Sequence, residues 1–303
     1  MLSGKLGLMQ ISIIGTNGFL SKAIAEFFLQ QDSELHMYGR QKPNHACTSF
    51  TYINLLDEKP DYGKLCLSDI IIYTVGAGIQ SNLKESAQLI YILNVTIPVE
   101  ICNSLKEHNY NSIFVSFGSV FEMGNTQEER FFDEMDILAS LAPAPGDYTI
   151  SKRMLSRFIF GYKKDFKHWH FIIPTIYGET ENPARLIPYT INAIKENQAL
   201  SFTNGSQTRQ YLYVNEIPFI IQRAFENHLP DGIYNIEGNE TLTVREIVEM
   251  IHHTFDLPLP GDCFGKLVRT DTGMKYLALN GHKLRSLIHI EPSIKIEDQI
   301  KKY

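Results

Sequence analysis

The sequence predicts an α/β fold: a doubly wound parallel sheet followed, on its C-terminal side, by a smaller mixed α/β lobe. Three observations carry this expectation. The first half alternates short, almost continuously apolar runs with amphipathic stretches, the pattern of strands joined by helical crossovers. A glycine-containing turn lies between the first apolar run and the first amphipathic stretch. After Pro174 the pattern becomes shorter and irregular, which sets a first domain at 1–173 against a second at 174–303, with part of 203–228 returning to the first. At 303 residues, 44% of them hydrophobic, the chain can bury one large core beside a smaller companion.

Taken in order, residues 10–14 read as a strand and 21–31 as a helix whose apolar face is Ile24, Phe27 and Phe28. A second strand is expected at 34–38. Residues 69–75 and 112–116 are apolar almost throughout, as strands covered on both faces are. Residues 81–107 and 148–163 have helical period, and the second domain reads as short strands and helices around 186–197 and 244–254.

A net charge of −6 and a pI near 5.9 exclude the concentrated positive charge that a nucleic-acid or anionic-membrane partner would need. No segment reads as the roughly 20 apolar residues that span a bilayer, and the first ten residues do not read as a secretion signal. Cys47, Cys66, Cys102 and Cys263 are scattered, without the close pairs of a zinc site. They read as reduced thiols of a cytoplasmic protein, and no metal site is expected.

The first chemical signal is Gly15-Thr16-Asn17-Gly18-Phe19-Leu20-Ser21, directly after a strand and directly before a helix. Glycine lets backbone approach a pyrophosphate, and the free N–H groups at a helix start favour the anion. The expectation is a Rossmann-like cofactor site built by Gly15, Asn17, Gly18, Phe19 and Leu20, with Ser21 in place of the usual third glycine. Tyr38-Gly39-Arg40 follows at the end of the second strand, where an Asp or Glu would accept from an adenosine ribose 2′-OH. Neither is present there. Arg40 can pair with a 2′-phosphate instead, which favours NADP and leaves NAD open.

The second signal is Tyr148-Thr149-Ile150-Ser151-Lys152 at the head of a helix, where a spacing of four puts both side chains on one face. A tyrosine ordinarily titrates near 10, so the expectation is that Lys152 lowers it toward neutrality, which requires about 4 kcal/mol of differential stabilisation.

These motifs occur together with Asn54-Leu55-Leu56-Asp57, Asn94-Val95, 115–121, Pro174-Thr175-Ile176-Tyr177-Gly178 and 209–216, in the order found in extended short-chain dehydrogenases/reductases. Tyr234-Asn235-Ile236 and 280–285 continue the likeness. The chain resembles the nucleotide-sugar epimerase/dehydratase/reductase family over nearly its whole length. That resemblance implies Tyr148 as acid/base, Lys152 on the nicotinamide ribose, Asp57 on adenine, and Val75, Pro174 and Ile176 along the cofactor. It implies Arg209, Arg185 and Arg269 on the nucleotide and diphosphate of a nucleotide-sugar substrate. It also implies a homodimer through the helices at 81–107 and 148–163.

Departures from the family pattern narrow the reaction. Phe117 stands where a substrate-binding Ser or Thr is usual, and Gly118-Ser119 replaces the Asp-Glu pair of 4,6-dehydratases. Dehydration thus lacks its acid and base. The resulting expectation is an NADPH-dependent 4-ketoreductase of a nucleotide-linked deoxysugar, of the kind that serves polysaccharide biosynthesis. The alternatives are an epimerase with tightly held cofactor and a non-catalytic NADP-binding sensor. Because side chains alternate along a strand, Ser119 lies on the side of Phe117 and is the better second catalytic hydroxyl; a bulge would return that role to Ser116.

Overall fold

The computed structural model describes residues 9–80, 83–267 and 273–303. In chain order its elements are β1 (Gln10–Ile14), α1 (Phe19–Leu29), β2 (Glu34–Gly39), β3 (Ser49–Tyr52), α2 (Tyr62–Leu65), β4 (Ile70–Tyr73), α3 (Ala87–Tyr91), α4 (Ile97–Glu107) and β5 (Ile113–Ser119). There follow β6 (Phe131–Phe132), α5 (Glu134–Ala139), α6 (Asp147–Gly161), β7 (Lys167–Ile173), β8 (Thr175–Tyr177), α7 (Leu186–Lys195), β9 (Thr208–Tyr213) and α8 (Glu216–Glu226). The last are β10 (Gly232–Asn235), β11 (Glu240–Thr243), α9 (Val244–Thr254), β12 (Tyr276–Leu279), α10 (His282–Ile288) and α11 (Ile296–Ile300).

The chain forms two compact units. The first comprises 1–118, 154–171 and 228–233, and the second 119–153, 172–227 and 234–303. A division at residue 173 therefore differs from the observed one. Residues 119–153 go with the second unit, and the segment that returns to the first is 228–233 rather than 203–228. The reason is pairing: β9, inside 203–228, is held by β8, β11 and β12.

The fold is α/β and Rossmann-like. Its seven-stranded sheet runs β10-β7-β5-β4-β1-β2-β3, with β1 parallel to both β2 and β4. The order reverses direction between β1 and β4, the kind of point at which open α/β sheets bind ligands beyond the carboxyl ends of their strands. Every residue of β4 (IIIY) and β5 (IFVSFGS) is buried, as expected of strands covered on both faces. On α1, Ile24 and Phe28 are buried beside Ser21, Ala23 and Ala25, so small residues let the helix sit close; Phe27 is only half-buried.

The helical stretch expected at 81–107 starts later, at Ala87. Ser86 caps it by accepting from the Leu89 N–H at 3.2 Å, while Ser81 and Asn82 lie outside the described residues. Between α3 and α4 the helix widens to a π-turn over Ile92–Thr96. There the Tyr73 hydroxyl donates to the Leu93 carbonyl at 2.7 Å, and buried Asn94 bonds both N–H and C=O of Ala77 at 2.9 Å. The whole helix, 21 residues, is long and apolar enough to cross a membrane. This corrects the expectation that no segment is. Its Ile97, Ile101, Cys102 and Leu105 are buried in the core of the first unit, as a core helix requires.

The smaller sheet of the second unit is mixed: β11 is antiparallel to β9, whereas β8 and β12 are parallel to it, and β12 continues to β6. Helices α7 and α9 cover it with Ile187, Ile191, Ile247 and Ile251, packed against Tyr177, Tyr211 and Tyr213. Gln210 locks β9 to β12 by exchanging two side-chain bonds with Leu279, at 3.1 and 3.0 Å.

Candidate active site

The first unit carries an open groove of about 310 Å³ at the ends of β1, β2 and β4, lined by Gly15 to Gly18, Tyr38 to Gln41, Ile53 to Leu56, Thr74 to Gly76, and Leu89 and Leu93. Gly15 has φ +114°, and a Cβ there would lie 2.3 Å from the Thr74 hydroxyl oxygen. Only glycine fits, and its N–H donates to the Tyr38 carbonyl at 2.8 Å. Helix α1 begins immediately after Gly18 with no side-chain cap and no acidic residue in its first turn. Its N–H groups are thereby left for an anion. Ser21, fully buried, donates its hydroxyl to the Gly15 carbonyl at 2.8 Å, so it braces the loop from the place where a glycine would only make room.

Asn17 ties this loop to the one after β2: its Oδ1 accepts from Asn44 N–H and its Nδ2 donates to the Lys42 carbonyl, both at 3.3 Å. Arg40 is exposed and lines the groove, and so does Val75. These features fit the pyrophosphate and adenosine half of a nicotinamide dinucleotide. Phe19 and Leu20 sit half-buried in the first turn of α1 and do not line the groove. Asp57 does not line it either. Its carboxylate is taken up by the Asn54 side chain, and Asn54, Leu55 and Leu56 are the residues that face the groove. Pro174 and Ile176 belong to the second unit, where Ile176 extends β8 and its carbonyl accepts from Arg185 Nη2 at 3.0 Å.

In the second unit, α6 carries Tyr148 in its first turn and Lys152 one turn later, with Lys152 Nζ 5.9 Å from the Tyr148 ring centroid. Ser119 is the last residue of β5, and its hydroxyl acts to lower the Tyr148 phenol. A tight turn over Val120–Met123 follows, closed reciprocally: Ser119 Oγ accepts from Phe121 N–H at 3.2 Å, and Ser119 N–H donates to Glu122 Oε1 at 2.8 Å. Phe121 packs edge-on to Tyr148 at 6.3 Å.

Burial pushes the Tyr148 phenol up to about 12; the Ser119 hydroxyl opposes this, the Glu122 carboxylate adds to it, and Arg185 opposes it. Burial, rather than Lys152, sets the direction of the Tyr148 shift in this site. The same burial brings Lys152 itself down to about 8, against the pull of Glu122. Desolvation outweighs the nearby charges here, because it acts on both ionised forms at once.

Ser116 lies three residues before Ser119 on β5 but inside the first unit. Its hydroxyl is shared between His168 Nε2 at 2.8 Å and His170 Nδ1 at 2.7 Å, and His170 Nε2 meets Ser156 Oγ at 2.9 Å. All four side chains are buried. Ser116 is therefore a core residue, and the alternative of Ser116 as the catalytic hydroxyl is corrected. Phe117, on the other side of the strand, packs against Phe171 with ring centroids 6.4 Å apart.

Arg209 is buried and donates through Nη1 to the carbonyls of Thr208 at 2.8 Å and Met274 at 2.7 Å, with its guanidinium 5.9 Å from the Phe121 ring centroid. Arg185 pairs with the buried Glu181 at 3.0 Å. Arg269 lies outside the described residues. Glu122 is the residue that sequence reasoning missed. The signal was a carboxylate inside the apolar stretch Val-Phe-Glu-Met.

Residues 11–236 match the NAD dependent epimerase/dehydratase family. The chain belongs to this family. It is accordingly an NAD(P)-dependent enzyme, an oxidoreductase or an epimerase. Among curated relatives of this family member, a CDP-abequose synthase of Yersinia pseudotuberculosis is 22% identical over 312 residues, covering 97% of this chain and all of the relative. An ADP-L-glycero-D-manno-heptose-6-epimerase of Fusobacterium nucleatum is 23% identical over 235 residues, 66% of each chain. Among solved structures, UDP-glucuronic acid 4-epimerase of Bacillus cereus, in complex with UDP-glucuronic acid and NAD, superposes with a TM-score of 0.80 at 17% identity over 97% of both chains. The Bordetella bronchiseptica enzyme WbmG, in complex with NAD and UDP, gives 0.79 at 15% identity over 97% of this chain and 93% of that one.

Proposed function

We propose that this family member is an NADPH-dependent ketoreductase that reduces the 4-keto group of a nucleotide-linked deoxysugar, Tyr148 supplying the proton. The observation that carries this reading is the make-up of the site: Tyr148 and Lys152 stand one turn apart on α6, with Phe121 packed edge-on to the phenol just beyond the end of β5, and Gly118-Ser119 there brings no carboxylate pair to eliminate water. Burial raises the Tyr148 phenol, the direction that favours a proton donor. The Ser119 hydroxyl, which acts to lower the same phenol, serves as the second donor to the developing alkoxide. When bound, the nicotinamide supplies the hydride.

The substrate class draws support from the relatives, among them a CDP-abequose synthase matched along its whole length. Arg209 and Arg185 are the cations proposed to hold the nucleotide diphosphate. Preference for NADPH rests on Arg40 at the groove wall and on the absence of Asp or Glu at the end of β2. A cytoplasmic homodimer completes the reading: the four cysteines are free thiols, and α6 exposes Ile150, Met154 and Phe160.

The deciding experiment supplies a cytidine- or uridine-diphosphate-linked 4-keto-6-deoxyhexose and NADPH. The expected result is one NADPH oxidised per keto-sugar consumed. Interconversion of isomers with no net oxidation would make the enzyme an epimerase. Tight NADPH binding with no turnover of any such sugar would make it a sensor.

A further inference from the structure

Arg185 caps the start of α7 and keeps part of its side chain in solvent, whereas its partner Glu181 is buried. Two of its donors are occupied within the second unit: Nε faces Glu181 Oε2 at 3.0 Å, and Nη2 donates to the Ile176 carbonyl of β8 at 3.0 Å. Among the described residues nothing accepts from Nη1. A planar guanidinium pinned at Nε and Nη2 cannot turn, so its remaining donors point in one direction.

The other oxygen of Glu181 is held as well. Tyr303, 122 positions further along the chain, donates its hydroxyl to Glu181 Oε1 at 2.7 Å. Its ring packs on the apolar cluster that includes Ile187, Ile191 and Ile251, and its main-chain oxygen accepts from Lys195 Nζ, at the far end of α7, at 2.6 Å. A carboxylate is costly to bury unless an opposite charge and hydrogen bonds compensate it. Glu181 has both, one on each oxygen. A strap between α7 and β8 would be served by any neutral pair; this one spends a buried carboxylate and a phenol on fixing a cation that still meets solvent.

We propose that Tyr303 and Glu181 are positioning residues of the substrate site: together they aim Arg185 at the phosphates of a bound nucleoside diphosphate. The proposal rests on the reading that Arg185 holds the diphosphate of a nucleotide-linked sugar. A cation already fixed meets a phosphate oxygen without first losing rotamer freedom, which strengthens binding. Burial raises the phenols of Tyr148 and Tyr211, in the same unit, and Arg185 is among the charges that oppose it, in keeping with a place near the acid/base.

Calorimetric titration of the full chain with CDP and with UDP tests this. Tyr303→Phe removes the hydroxyl and keeps the ring; it should weaken whichever nucleotide the wild type binds by about tenfold. Glu181→Gln, which keeps the shape and gives up the ion pair, should weaken it at least as far. In an Arg185→Ala background Tyr303→Phe should cost nothing further, because it acts only through that guanidinium. Wild-type affinity in either single variant, or losses that add in the double variant, overturns the positioning role. Phenylglyoxal labelling of Arg185, followed by peptide mass spectrometry, reads the same anchoring without nucleotide. Tyr303→Phe should raise the labelling rate about fivefold, the weight of one lost hydrogen bond. An unchanged rate overturns the positioning role. Should the wild type bind neither CDP nor UDP while that rate still rises, the substrate reading falls and the anchoring of Arg185 by Tyr303 stands.

Discussion

The groove of the first unit and the tyrosine turn of the second are built from different materials. The groove is mostly backbone: a glycine at φ +114°, an uncapped helix start, and a serine hydroxyl bracing the loop carbonyl. Its electrostatics come from fixed backbone dipoles, which do not titrate. The tyrosine turn consists of ionisable side chains, and burial raises Tyr148 and lowers Lys152, disfavouring the charged form of each. A backbone site is specified by short motifs. A side-chain site is specified only once the chain has packed around it.

The largest effect that sharpens this contrast should come from Tyr148→Phe. Loss of the proton donor should lower kcat for keto-sugar reduction by about 10²- to 10⁴-fold, measured by NADPH absorbance, and leave NADPH affinity in the groove unchanged. A parallel loss of NADPH affinity would break the separation between the two sites. Ser119→Ala comes next, with an expected fall of about 10²-fold in kcat beyond any change in KM. A near-normal kcat there would mean that the Ser119 hydroxyl has no part in the chemistry.

In the groove, Gly15→Ala forces a Cβ against Thr74 at a left-handed φ. It should weaken cofactor binding about tenfold or more, by titration calorimetry, because 1–3 kcal/mol of strain falls on the loop that meets the phosphates. Arg40→Ala should cost about tenfold in NADPH affinity and leave NADH affinity as it was. Equal affinities for the two cofactors in the wild type would remove the basis for that role.

The smallest effect concerns the buried histidines. Burial holds His168 well below its ordinary value of 6.5, with His170 and Lys164 acting in the same direction. The unfolded chain therefore binds the extra proton first as pH falls, so this stabilisation is complete above 6.5 and declines below it. Melting temperature should drop on acidification through that range, and Ser116→Ala should lower it further by the loss of about 1–3 kcal/mol while leaving kcat nearly unchanged. A large fall in kcat would place Ser116 back in the reaction.

Ser116 and Ser119 also measure how far a sequence can be read. Strand alternation separated them, because the pleat alone puts Phe117 and Ser119 on one face and Ser116 on the other. What alternation leaves out is the partner. His168 and His170 stand on β7, more than fifty positions downstream, and nothing local announces that their ring nitrogens meet Ser116. Asp57 shows the same limit at short range. The family resemblance implies an adenine contact for it; what the resemblance does not carry is that the turn after β3 bonds its carboxylate to Asn54 and lines the groove with Asn54 to Leu56.

By itself the sequence determined the α/β class, the glycine loop and its glycine requirement, the Tyr148–Lys152 pair on one helical face, and the family. These depend on periodicity, on the conformational freedom of one residue type, and on spacing along a helix, all local quantities. Only the tertiary structure decided that β9 belongs wholly with the smaller sheet, that Arg209 is a buried donor to backbone carbonyls, and that Glu122 lies buried under Ser119. It also decided the direction in which Tyr148 and Lys152 titrate. Each of these depends on desolvation and on partners distant in the chain, and both come into being only when the segments pack together.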